Sequence, residues 1–227
     1  MSLFHSTLGD PLLILLNGPP AAGKSTVARR WLETHPLALN LDLDVLWRLL
    51  GRWQDDLTAT GMAARQLGLA MCQAQLAAGR DVIVPQYLGR PEFIDELAAV
   101  GGRGFRHIVL LPPYELVAAR FQDRLDHPVA EAGLAVAPGG LRTMYDRLVE
   151  LAADREDARV LPLRDEPVEV LLDRIAAELQ ATGGERIRAA GRAHSTHSGA
   201  GSGESDTAAV ADSPPGTNGR VGNEAPT

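Results

Sequence analysis

Nine consecutive residues, Gly18 to Thr26 in GPPAAGKST, are spaced so that they can wrap a chain of phosphates. They satisfy G-x-x-x-x-G-K-[ST], with Gly18 and Gly23 at the ends of the loop, Lys24 and Ser25 closing it, and Thr26 following. The glycines let the backbone curl so that successive N–H groups of Ala21, Ala22, Gly23 and their neighbours point inward. The helix that follows adds the positive end of its dipole, which completes an anion nest. A nucleoside triphosphate suits such a nest: the Lys24 ammonium reaches the β- and γ-phosphates, and the Ser25 hydroxyl is placed to ligate Mg²⁺. Lys24 is also the one lysine among 22 lysine and arginine residues. On a solvated surface the two types are nearly equivalent, so the surviving lysine marks a position that needs a compact ammonium rather than a planar fork.

The flanking sequence supplies the elements this loop requires. Leu12 to Leu16 is a continuous apolar run of the kind buried on both faces of a parallel sheet, and Ser25 to Thr34 has helix composition. Farther on, LALNLDLDVLW reads as a second strand entering a helix near Asp44. Thr58 to Ala78 is a long Ala/Leu/Gln helix closed by Gly79, and Val82 to Val84 is a third strand ended by Pro85. A helix starts at Pro91. RHIVLLP and ARVLPL give strands four and five, and PYELVAARFQDRLD, GLRTMYDRLVELAAD and EPVEVLLDRIAAELQ give helices. Strands alternating with helices predict an α/β fold with a five-stranded parallel sheet covered on both sides and its ligand at the carboxyl ends of the strands. The stretch 127–140 is rich in Gly and Pro and reads either as a lid or as a surface loop.

Composition narrows the function. A net charge of −7 argues against extended binding of nucleic acid through a phosphate-neutralising surface, though a local pocket of arginines can still grip one phosphate. The single cysteine, Cys72, excludes an internal disulfide framework and fits a small core residue on an Ala-rich helix. The six histidines fall at no metal-ligand spacing. PLLILL is too short to cross a bilayer, so a cytoplasmic location is expected. From residue 183 to 227 the composition turns to Gly, Ser, Thr, Ala, Pro and Asn, which cannot bury enough surface to offset ordering entropy. The expected organisation is a folded domain over 1–182 and a disordered tail over 183–227.

Over about residues 10–180 the chain resembles the P-loop kinases that act on small molecules, in particular the zeta-toxin-like and chloramphenicol-phosphotransferase-like branch. The resemblance rests on the P-loop, the Asp-bearing LNLDLDVL, the Gly-Arg segment in PQYLGRPEF, and the arginine-bearing helix before 127–140. It implies a P-loop NTPase fold of the kinase type and assigns Asp44 to the position of the catalytic aspartate, where a carboxylate orients an acceptor hydroxyl and takes up its proton. Asp42, two residues earlier on the same strand face, would bind Mg²⁺ through water or steer Asp44. Read without the resemblance, Asp44 caps the helix VLWRLL and Asp42 is a solvated strand end. Gln86 departs from the family, which usually carries an acid there. A neutral amide can hydrogen-bond a polar substrate but lends no charge to magnesium. Arg90 matches the family's basic residue after strand three, or is a surface arginine before Pro91. Arg120 and Arg124, four apart on one helix, stand where such kinases clamp the transferring phosphoryl group, or pair with Glu115, Asp123 and Asp126 on a solvated face. Arg164 and Asp165 fall where related folds pass the nucleotide base.

The sequence therefore leads to an ATP- and Mg²⁺-dependent phosphotransferase acting on a hydroxyl of a small molecule: an antibiotic, nucleoside, sugar or nucleotide sugar. The rival is an ATP-binding regulatory module, or slow ATPase, without a small-molecule acceptor, to which the neutral Gln86 lends weight.

Overall fold

A computed structural model describes residues 10–126, 140–164 and 166–180 of the 227. The strands are β1 (Leu13–Asn17), β2 (Leu39–Asn40), β3 (Val82–Val84), β4 (Phe105–Leu111) and β5 (Ala158–Pro162). They form one sheet in the order β2-β3-β1-β4-β5, every pair parallel. The helices are α1 (Lys24–Leu32), α2 (Leu43–Leu49), α3 (Leu57–Ala77), α4 (Pro91–Gly101), α5 (Tyr114–Asp126), α6 (Gly140–Asp154) and α7 (168–180).

The alternation of side chains along each strand splits the core in two. Leu13, Leu15, Leu41, Val82 and Val84 face Ala64 and Cys72 of α3 and Ile94 and Leu97 of α4. Ile14, Leu16, Ile83, Ile108 and Leu110 face Val27, Ala28 and Trp31 of α1 and Leu171 and Ile175 of α7. Burial on both faces is why β1 and β3, at the centre of the sheet, read as unbroken apolar runs. Cys72 is fully buried, as its setting in the sequence implies, and burial pushes its thiol up to about 12. Gly68 lets α2 sit close on α3: a Cβ there would lie 2.9 Å from the Leu43 side chain.

The expected element order holds, with shifts at the ends. β1 runs one residue farther than expected because Asn17 still pairs with Val109 of β4, and α1 starts at Lys24 directly from the phosphate-type loop. β2 is two residues long, so LDLD belongs to the turn and helix after it. The expected tail over 183–227, and with it the domain boundary at 182, lies outside the described residues. So do the lid or loop at 127–139 and Asp165.

Candidate nucleotide and phosphoryl-acceptor site

The loop from Gly18 to Gly23 turns through two left-handed residues, Ala21 at φ 64° and Gly23 at φ 92°. Gly23 is the N-cap of α1 and carries no side chain to occupy the helix end, so the first N–H groups of α1 stay directed into the loop. Gly18 is required by close approach: a Cβ there would lie 2.9 Å from the Leu110 carbonyl oxygen of β4. The Lys24 ammonium donates to the carbonyls of Gly18 and Pro19, both at 2.9 Å, and so spans the loop from its last residue to its first. Ser25 and Thr26 are exposed at the mouth.

Lys24 sits in a mixed field. Burial pulls its pKa down to about 8; the carboxylates of Asp44 and Asp42 work against that, and the Arg124 guanidinium adds to it. These four groups, drawn from α1, the start of α2 and the end of α5, are thus brought within electrostatic reach of one another. Asp42 is half-buried, and its pKa is raised by burial first and by the Asp44 carboxylate second, against hydrogen bonds from the Asp44 and Val45 N–H groups and the Lys24 charge.

Two sequence expectations for this pair are corrected. The cap of α2 is Asp42, whose Oδ1 accepts from the Asp44 N–H at 2.9 Å, not Asp44. Nor do the two share a strand face, because β2 has already ended at Asn40 and both belong to the start of α2. The reason is geometric: an aspartate with extended backbone at the strand exit can satisfy the first orphan N–H of the helix two residues on, whereas Asp44 is already inside the helix. Asp44 keeps its carboxylate free of capping duty.

The remaining candidates are less concentrated. Gln86 follows β3 with its N–H bonded to the Val84 carbonyl; its side-chain Oε1 is buried and meets no partner. Arg90 is exposed and forms the N-cap of α4, with Pro91 at the first helical position, the setting that its reading as a surface arginine before Pro91 described. On α5, Arg120 is half-buried and Arg124 exposed. Arg164 is exposed beyond β5.

Three residues escaped sequence reasoning. Asn40 pairs with Ile83 and so points to the α1 side of the sheet; its Oδ1 is buried without a partner. Asn17 and His107 are buried side by side on β1 and β4, with Asn17 Nδ2 3.3 Å from His107 Nε2. The sole signal was a polar residue inside each apolar strand. Burial lowers the His107 pKa to about 4, and it stays neutral at ordinary pH.

Among the described residues no three His, Cys, Asp or Glu side chains gather as a ready metal cage. The donors present are hard oxygens, the exposed Ser25 hydroxyl and the half-buried Asp42 carboxylate, which suit Mg²⁺ shared with a nucleotide's phosphates. No described helix is long and apolar enough to cross a membrane.

Comparison with known proteins agrees with this architecture. A family model described as AAA domain matches residues 13–144. No curated protein matches the chain in sequence. The fold is that of a gluconokinase from Sinorhizobium meliloti 1021, at a TM-score of 0.56 and 17% identity, covering 79% of this chain and 97% of that one. It is also that of the tunicamycin resistance protein of Deinococcus radiodurans, at a TM-score of 0.53 and 20% identity, covering 74% and 95%. A chain of the Pnkp1/Rnl/Hen1 RNA repair complex aligns at a TM-score of 0.52 and 17% identity over 67% of this chain, which spans about half (48%) of that longer protein.

Proposed function

The chain belongs to the AAA domain family, and from that footing we propose that it is a phosphotransferase that moves the γ-phosphate of ATP to a hydroxyl of a small molecule. The observation that carries this is Lys24, bonded to the first two carbonyls of the phosphate-type loop and within electrostatic reach of the Asp42 and Asp44 carboxylates at the start of α2. Phosphoryl transfer asks for little more than positioning and charge compensation. Lys24 would leave the carbonyls of Gly18 and Pro19 for the β- and γ-phosphates, and the loop N–H groups would hold the phosphate oxygens. Asp44 orients the acceptor hydroxyl and takes its proton as the new P–O bond forms and the bond to the leaving ADP oxygen breaks. Asp42 fixes Asp44 through the helix cap. Arg124, with Arg120 one turn before it, offsets charge on the transferring group. Mg²⁺, held by Ser25 and Asp42 with the phosphates, would supply charge neutralisation.

On the acceptor side stand Asp42, Gln86 and Arg90. A neutral or donor-bearing acceptor fits the unpartnered Gln86 Oε1, which needs a hydrogen from something. Support for the small-molecule class comes from the kinase and resistance-protein folds above and from the net charge of −7. The same neutral Gln86 favours the second reading, an ATP-binding regulatory module or slow ATPase, because it offers magnesium no charge. The test is a screen of ATP consumption against hydroxyl-bearing sugars, nucleosides and antibiotics, with mass detection of product. A gain of one phosphoryl unit on one compound, dependent on Mg²⁺ and lost in Asp44→Asn, supports the kinase. ATP binding with no phosphorylated product across the panel supports the module.

A further inference from the structure

The β1–β3 ladder stops at Leu15 and Val84, and Pro85 has no N–H to carry it on. The segment that follows, bearing Gln86 and Arg90, is nonetheless tied back to β1. The tie is the Asn17 side chain, which is completely buried. Its Oδ1 accepts from the Leu88 N–H and from the Gly18 N–H, both at 2.9 Å. Its Nδ2 donates to the Leu88 carbonyl at 3.0 Å and points its other hydrogen at His107 Nε2, 3.3 Å away. Two acceptor sites and two hydrogens are all used, and the amide has one possible orientation, since a flipped one would set its NH₂ against two N–H donors. It follows that Nε2 of the neutral imidazole is the acceptor and the proton sits on Nδ1, which has no partner.

One oxygen is therefore shared between the first residue of the phosphate-type loop and the middle of the acceptor segment. We infer that Asn17 is a positioning residue that couples the two half-sites, so that a nucleotide that fixes Gly18 also fixes Leu88 and with it the flanking Gln86 and Arg90. The inference rests on the nucleotide reading above. Binding that orders Gly18 removes freedom from every group bonded to the same oxygen, which is a coupling free energy between two sites with no large movement needed. A second anchor holds the segment to α6, where the Tyr87 hydroxyl donates to the Met144 carbonyl at 3.2 Å. Among the described residues no hydrogen bond joins that anchor to the loop, and this makes it a control.

The experiment is residue-resolved amide hydrogen exchange with and without Mg-ATP, with nucleotide affinity measured by calorimetry, on wild type, Asn17→Ala, Asn17→Ser and Tyr87→Phe. In wild type, Mg-ATP should slow exchange at Leu88 by about tenfold or more. In Asn17→Ala and Asn17→Ser, Mg-ATP should still protect residues 18–26, with affinity within about tenfold of wild type, yet leave Leu88 exchange unchanged. Tyr87→Phe should retain the nucleotide effect at Leu88, which a merely structural fastening would lose. Should the Asn17 variants not fold, wild type and Tyr87→Phe still decide. Protection of Leu88 that survives in a folded Asn17 variant, or that is missing in a wild type that binds Mg-ATP, overturns the coupling alone. A wild type that does not bind Mg-ATP overturns the nucleotide reading and the coupling together.

Discussion

The two halves of the candidate site are finished to different degrees. Around the loop from Gly18 to Gly23, the shape is set from within: Asn17 holds the Gly18 N–H, Lys24 holds the Gly18 and Pro19 carbonyls, and Ala21 and Gly23 make the left-handed turn, while the first N–H groups of α1 stay directed inward. Across the strand ends at β2 and β3, Gln86 Oε1 and Asn40 Oδ1 are buried without partners, and Arg90 is exposed. A loop whose turn is already formed binds without a large rearrangement, whereas unpaired buried oxygens wait for hydrogens that only a ligand or water can bring. On the function proposed here, the nucleotide half has its turn formed in advance, and the acceptor half would be completed by what it binds.

The largest test of this contrast is Lys24→Arg. If the loop is shaped for a compact ammonium spanning two carbonyls, the wider guanidinium cannot enter, and Mg-ATP affinity should fall by about a hundredfold or more, nearly as far as for Lys24→Ala. Normal binding by Lys24→Arg, measured by calorimetry, would mean the loop is not the fixed half. Asp44→Asn should act on the other half only. Mg-ATP affinity stays within a few-fold, while the rate of transfer to the identified acceptor falls by roughly a hundredfold, as loss of a general base should give. Equal losses in binding and rate would erase the division.

A smaller effect is expected from pH. Free Lys24 titrates near 8, and a bound triphosphate raises that value by placing negative charge beside the ammonium. Binding therefore takes up a proton above pH 8. Affinity should be flat below pH 8 and weaken as pH rises above it, by up to about tenfold per unit until the bound-state pKa is reached. The slope should vanish in Lys24→Ala. The smallest change concerns Gln86→Ala. With no partner for Oε1 in the free protein, truncation should leave the melting temperature unchanged or raise it by a few degrees, since an unsatisfied buried acceptor costs about 1–3 kcal/mol. The acceptor KM should rise while Mg-ATP affinity stays put. A clear drop in melting temperature would show that Gln86 is structurally satisfied and that the acceptor half is as finished as the loop.

What could be read from the chain follows the same line. The phosphate-type loop is nine adjacent residues, so its spacing survives in one dimension, and the strands announce themselves because two-sided burial demands unbroken apolar runs. Those two signals suffice for the α/β class, the element order and the parallel sheet. Asp42 and Asp44 were found as a pair, yet which of them caps α2 depended on where β2 stopped, and propensity does not fix a strand end to one residue. The sheet order β2-β3-β1-β4-β5 alone sets β3 between β2 and β1, so that the ends of β2 and β3 lie on one side of β1, and the return of α5 alone brings Arg124 into the field of Lys24. Asn17, Asn40 and His107 were hidden for a further reason. A polar residue inside an apolar strand looks like an interruption until its partner is known, and the partner of Asn17 is Leu88, 71 residues away. Local chemistry was written in the sequence. Which distant groups share a hydrogen bond was decided by the fold, because that depends on which strands lie side by side.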